Sequence, residues 1–213
     1  MSMEKKAYSN IKALRLRFDE RRDAIRKRLD DFATIKPEAY FYELAYCLLT
    51  PQSSARNADK AIEALKSEDF FNNDINAAAI LFRKQHYIRF HNTKAKRLQE
   101  VKGNYDEILT QLCNGSSSPE LRVWLVKHVK GLGWKEASHF LRNIGHCDLA
   151  ILDRHILKNL KKHNVIRSLP KTLTAKRYLS IEKKFKQFAL DIGISMDELD
   201  LVFWSNETGK ILK

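Results

Sequence analysis

Apolar residues recur at helical spacing along most of this chain, and no segment alternates convincingly as a half-buried strand would. Only seven glycines and four prolines interrupt 213 residues, so there are few places where a helix must stop. The pattern predicts an all-α protein. With 44% hydrophobic residues, it has enough apolar surface for a sizeable core, arranged as one domain or as two small lobes.

The spacing places a charged helix over residues 8–31, with Ile11, Leu14, Phe18, Ile25 and Leu29 as its apolar stripe. Pro37 opens the next helix and Thr50-Pro51 ends it. Further helices are expected from Ala55 to Leu65, around 68–71 and 76–83, from Asn92 to Val101, and near Ile108 and Leu112. Asn114-Gly115-Ser116-Ser117-Ser118-Pro119 reads as a loop. Helices from Glu120 to Val129, Lys135 to Ile144, Arg154 to Asn164 and Lys176 to Asp191 follow. Ser195 to Glu198 carries a capping signature that opens the last one.

Lysine and arginine number 39 against 26 acidic residues, a net charge of +13 that suits a polyanionic partner. No apolar run of about 18 residues exists to span a membrane, and Met1 to Lys6 lacks the apolar core of a signal peptide. A cytoplasmic, nucleoid-associated protein is expected, or a nuclear one in a nucleated cell. Cys47, Cys113 and Cys147 show no Cys-x-x-Cys spacing, and the expectation is three buried free thiols in a reducing compartment. No His/Asp/Glu cluster has catalytic-metal spacing.

Residues 130–154 carry the chemistry. Gly131-Leu132-Gly133 forms a tight turn between two helices, a helix-hairpin-helix over about 120–145. Amides at the start of its second helix suit a DNA phosphate. Lys135 follows the turn at once, and Asp153 comes eighteen residues later, after the apolar run Leu149 to Leu152. A lysine attacks only when neutral. The positive end of a helix, partial burial and the neighbouring Lys130 all disfavour the ammonium, so Lys135 is a candidate nucleophile for a sugar carbon. Asp153 suits stabilisation of positive charge on that sugar, and can equally serve as the N-cap of the helix that follows.

These residues resemble the helix-hairpin-helix superfamily of DNA glycosylases. Its usual hairpin, Leu-Pro-Gly-Val-Gly-x-Lys, stands here as Val129-Lys130-Gly131-Leu132-Gly133-Trp134-Lys135, with Lys130 in place of proline and both glycines expected to supply unusual φ angles. Leu48 to Ala55, with Gln52 at its centre, is similar to the segment that sets a glutamine against the DNA stack in endonuclease III. Arg89 to Lys96 is similar to a Tyr-Asn-x-Lys-Ala segment, and the tail Asp200 to Lys213 most resembles the archaeal-type 8-oxoguanine DNA glycosylase/AP lyases.

The resemblance implies one glycosylase unit of two helical lobes over residues 1–213 with a cleft between them, acting as a monomer on damaged duplex DNA. It implies excision of 8-oxoguanine and β-elimination at the abasic site through a Schiff base on Lys135, with Asp153 assisting. Gln52 would fill the gap in the stack or line the base pocket. Phe90 and Trp204 would sandwich the extruded base, and the terminal carboxylate of Lys213 would accept the N7–H that distinguishes 8-oxoguanine. Lys130, Gly131, Gly133, Arg154, His155, Lys94 and Lys96 would contact the DNA backbone. No cofactor is expected and the ligands of an iron–sulfur cluster are absent, although the hairpin carbonyls can hold a monovalent cation. The alternatives are a glycosylase for another oxidised base, and a non-catalytic DNA-binding module that would need the glycines but not the Lys135 and Asp153 pair.

Overall fold

A computed structural model of the chain describes residues 8–209. Every regular element among them is helical, and they fall into two units, one made of the N-terminal helices joined to residues 145 onward, the other of residues 35–144.

The first unit begins with α1 (Ile11–Asp19) and α2 (Arg22–Ala33), where the sequence suggested one helix over 8–31. The break lies at Glu20 and Arg21, where the Arg21 amide bonds back to Phe18 O (3.0 Å) in a tightened last turn. It lets the Arg21 guanidinium donate to Ser205 Oγ and Asn206 Oδ1, both at 2.8 Å. No glycine or proline marks this break; the partner that holds it lies 184 residues along the chain. Leu14, Phe18 and Ile25 are buried as expected, Ile11 and Leu29 are half-buried, and Phe32 takes a core position the stripe had omitted. The unit is completed by α10 (Arg154–Lys162), α11 (Ala175–Ile192) and α12 (Met196–Thr208). The Ser195/Glu198 capping box opens α12, which packs on α2 and α10.

Within this core His163 is 3% exposed and lies between the rings of Phe188 and Phe203, with Nδ1 2.8 Å from Ser9 O. Burial lowers its pKa, the Ser9 carbonyl opposes this, and Lys162 and Arg17 lower it further. A histidine whose folded pKa is depressed binds fewer protons folded than unfolded, so stability is lost as pH falls below the unfolded value of about 6.5. Urea denaturation should therefore show falling stability on acidification toward pH ~5, and a weaker slope in His163→Phe. An unchanged slope would show that another group governs the acid limb.

In the second unit a 3₁₀ turn at Pro37–Ala39 leads into α3 (Tyr40–Leu49), followed by α4 (Ala55–Ser67) and α5 (Ala77–Phe82). Then come α6 (His91–Gly103), α7 (Tyr105–Leu112), α8 (Ser118–His128) and α9 (Trp134–Asn143). Helix α3 is buried from Glu43 through Leu49 and receives α4, α6 and α9, which makes it the centre of the unit. The helix expected around 68–71 is a turn. Asp69 adopts φ +49° and ends α4, its carboxylate accepts from Asn72 and Asn73, and Lys102 Nζ donates to Phe70 O and Asn73 O. Of the cysteines only Cys47 is buried. Cys113 and Cys147 are exposed, because the first follows the end of α7 and the second lies in the loop after Gly145.

Candidate active site

In the second unit a capping box, Ser117 with Glu120, starts α8, which runs directly into the hairpin. Gly131 has φ +98°, a conformation that favours glycine, and the Arg97 side chain passes within 2.6 Å of where a Cβ would stand. Gly133 differs from the expectation. Its backbone is extended (φ −89°, ψ −179°), open to any residue, and a Cβ there would instead meet Glu136 Oε2 at 2.9 Å. Gly133 is the N-cap of α9 and offers no side-chain cap, and a helix start of this kind suits an anion.

Lys135 lies in that first turn, 28% exposed, with Nζ 3.3 Å from Glu136 Oε1. Its charge reaches the fully buried Cys47 on α3, whose thiol is pushed up by burial and Glu43 and pulled back by Lys135 and Arg142. Behind it, buried Arg122 lies 4.9 Å from the Trp134 ring centroid and donates to Ser138 Oγ (3.2 Å), bracing α8 against α9. Asn143 Nδ2 donates to Glu43 Oε2 (3.1 Å) and ties the far end of α9 to α3. Lys130 is 75% exposed and pairs with Glu100 at 3.2 Å; so exposed a pair is weak enough for a phosphate to replace it.

Gln52 and Phe90 lie in two loops that the same unit joins. Both have left-handed backbones, φ +56° and φ +60°, which in non-glycine residues costs about 1–3 kcal/mol and collects at functional sites. Ser53 Oγ accepts from the Arg89 amide (3.1 Å) and links the loops. Gln52 is exposed, and Phe90 is 49% exposed under the Arg89 guanidinium, so Phe90 is not a core residue.

Lys94 departs from its expected place on a DNA phosphate. It is 2% exposed, and its ammonium donates to Leu49 O (2.6 Å), Pro51 O (2.7 Å) and Ser53 Oγ (3.2 Å). Burial and then Arg97 push its pKa down to about 8, which still leaves three protons for three acceptors at neutral pH. Lys94 thus closes the end of α3 and fixes the Gln52 loop. The α6 pattern carried the signal: Lys94, Leu98 and Val101 share one buried helical face. Lys96, on the same helix, is exposed and open to a phosphate. Lys94→Met should lower stability by about 3 kcal/mol in chemical denaturation, since three acceptors lose their donor. A loss well under ~1 kcal/mol would mean that water satisfies them.

In the first unit Asp153 caps α10, its Oδ1 accepting from the His155 and Ile156 amides at 2.8 Å each. Leu149 to Leu152 is buried before it and held from α11. Tyr178 Oη donates to Ala150 O (2.5 Å) and accepts from the Leu152 amide (3.2 Å), while Glu182 accepts from the Ala150 amide (2.9 Å). Neither Tyr178 nor Glu182 was legible as a positioning residue, because both lie far along the chain in an ordinary amphipathic helix. Arg154 Nε donates to His155 Nε2 (3.1 Å), His155 Nδ1 is 3.4 Å from Glu207 Oε2, and the His155 and half-buried Trp204 rings are 5.4 Å apart. This unit therefore gathers Asp153, Arg154, His155 and Trp204 at one end of α10. Lys213 lies outside the described residues.

The sequence model of the 8-oxoguanine DNA glycosylase family matches residues 25–194. The chain belongs to that family. An 8-oxoguanine DNA glycosylase/AP lyase of Fusobacterium nucleatum is 46% identical over 177 residues, 80% of this chain and 81% of the relative. That of Korarchaeum cryptofilum is 38% identical over 201 residues, covering 94% and 95%. The crystal structure of the Thermotoga maritima 8-oxoguanine DNA glycosylase superposes with a TM-score of 0.84 at 31% identity, covering 95% of this chain and 98% of that one. A Methanocaldococcus jannaschii 8-oxoguanine glycosylase/lyase in complex with 8-oxoguanine DNA gives a TM-score of 0.82 at 32% identity, covering 95% and 99%. Among this family member's described residues, no group of three or more His, Cys, Asp and Glu is placed to hold a metal ion, and no helix is long and apolar enough to cross a membrane.

Proposed function

We propose that this protein excises 8-oxoguanine from duplex DNA and then cleaves the abasic site by β-elimination. The observation that carries the reading is Lys135, half-shielded in the first turn of α9 directly after the Gly131–Gly133 hairpin, in a chain of the 8-oxoguanine DNA glycosylase family. The backbone of the lesion strand docks at the N-terminus of α9, supported by Lys130, Lys96 and Arg154. Gln52 and Phe90 act where the base leaves the stack, and Trp204 and the Lys213 terminus act on the extruded base.

The Lys135 ammonium gives up a proton, and the free amine attacks C1′ as the glycosidic bond breaks; the base departs with the bonding electrons and takes up a proton. The Asp153 carboxylate stabilises the positive charge that builds on the sugar. The nitrogen then passes its surplus proton to O4′ as the C1′–O4′ bond breaks, which gives the iminium; removal of a C2′ proton expels the 3′ phosphate with the C3′–O bonding electrons, and water releases the lysine. Glu136 holds the Lys135 side chain in place until the substrate arrives.

The test is borohydride trapping on a duplex with a single 8-oxoguanine, beside the same duplex undamaged and the same duplex with a preformed abasic site. A covalent adduct on the damaged duplex alone supports the reading. An adduct on an abasic-site duplex but not on 8-oxoguanine would overturn the lesion, and none on either would overturn the lyase.

A further inference from the structure

We propose that a basic groove between the 165–171 segment and α11 binds the phosphate backbone of a second DNA segment, one that does not carry the lesion. This rests on the proposed DNA substrate and extends it. The groove has a volume of about 810 Å³, and its rim carries Arg167, Lys171, Arg177 and Lys184, with no acidic residue in its lining. All four cations are exposed, and among the described residues none makes an ion pair or a side-chain hydrogen bond. Other exposed cations, Lys12, Lys27, Lys36 and Lys96 among them, are unpaired among the described residues as well, whereas Lys186, two residues beyond Lys184, pairs with Asp148; what sets these four apart is that they surround one concavity whose lining holds no carboxylate. Four uncompensated cations around one concavity repel one another unless an anion sits between them.

The spacing favours a nucleic acid strand over a compact anion. Arg177 and Lys184 are seven residues apart on one face of α11, about 10.5 Å along its axis, which matches the axial rise of roughly three base pairs of duplex at ~3.4 Å each. Leu169, 44% exposed, supplies apolar surface on which sugars can rest. The groove is also separate from the candidate active site. Asp153 caps the start of α10, whereas the groove begins where the chain leaves its other end, at Val165 and Ile166. The nine-residue helix puts roughly 14 Å between them. When the first duplex is short and ends at the start of α10, the groove's four cations remain for a second one.

The experiment uses the whole chain and the variant R167Q/K171Q/R177Q/K184Q. All four positions are exposed, and the charge-retaining set R167K/K171R/R177K/K184R controls for folding. Each protein is first trapped with borohydride on a short lesion duplex, then offered a labelled undamaged duplex. The wild type and the charge-retaining set should capture the second duplex, and the glutamine variant should not, while trapping itself is equal in all three. For free protein on a long undamaged duplex, the slope of log K against log salt should shrink by about 3 to 4 in the glutamine variant. Equal capture by all three, or an unchanged slope, would overturn the proposal. So would a matched loss of trapping, which would make the groove part of the lesion site. Displacement of polyglutamate but not of DNA by the glutamine substitutions would overturn it in favour of an acidic protein. If the wild type fails to trap yet its duplex affinity keeps the groove-dependent slope, the groove stands and the proposed activity falls.

Discussion

Lys135→Gln is expected to reduce borohydride-trapped adducts to background while affinity for the same duplex is retained. Glutamine keeps the helix turn and a polar group of similar length, but has no amine with which to form an iminium. Cleavage of a preformed abasic site should fall by at least about 10³-fold, the scale on which loss of a covalent nucleophile is felt. Binding is expected to survive, because the proposed phosphate contacts are backbone amides and other cations. Because Nζ pairs with Glu136, the substitution also frees a carboxylate at the helix start, where it is favourable, so the fold should not suffer. Adducts persisting in the variant would assign the chemistry to another amine. Loss of both trapping and DNA binding would make Lys135 a docking residue.

Asp153→Asn should separate two roles of one side chain. Asparagine retains an oxygen to accept from the His155 and Ile156 amides, so melting should be nearly unchanged. It carries no charge, so excision of 8-oxoguanine should slow by about 10²- to 10³-fold, comparable to removing a preorganised electrostatic partner of the transition state. Asp153→Ala should show the same slowing plus a stability loss of about 1 kcal/mol for the missing cap. Single-turnover excision beside thermal melting of both variants reads the two effects independently. Asparagine that is as active as the wild type would reduce Asp153 to its capping role.

Much of this was legible because it is local. Helical spacing located most elements within a few residues, and the Gly131 turn, the Lys135 that follows it and the Asp153 cap depend on neighbours within one helical turn. Three misreadings share one cause, a partner far along the chain. The break at Arg21 depends on Ser205 and Asn206, the turn at 68–71 is held by Lys102, and the burial of Lys94 depends on carbonyls of Leu49 and Pro51. In each case a charged side chain found acceptors that no local pattern announces. Lys94 shows the cost of reading charge as exposure: a lysine on an apolar helical face can be buried if three acceptors meet it.

By itself, then, the sequence determined the helical class, the hairpin, the order of the candidate amine and carboxylate, and the family, since these rest on periodicity, on a positive φ that favours glycine and on motifs of adjacent residues. Only the tertiary structure decided which cations stay free and which are consumed in the fold. It turned Lys94 inward to lock the Gln52 loop and set Tyr178 and Glu182 against the backbone that leads to Asp153. It also left Arg167, Lys171, Arg177 and Lys184 around one open groove. The physical reason is that desolvation and pairing depend on what the fold brings within hydrogen-bond distance, and a basic residue looks the same in sequence whether it meets a carbonyl, a carboxylate or water.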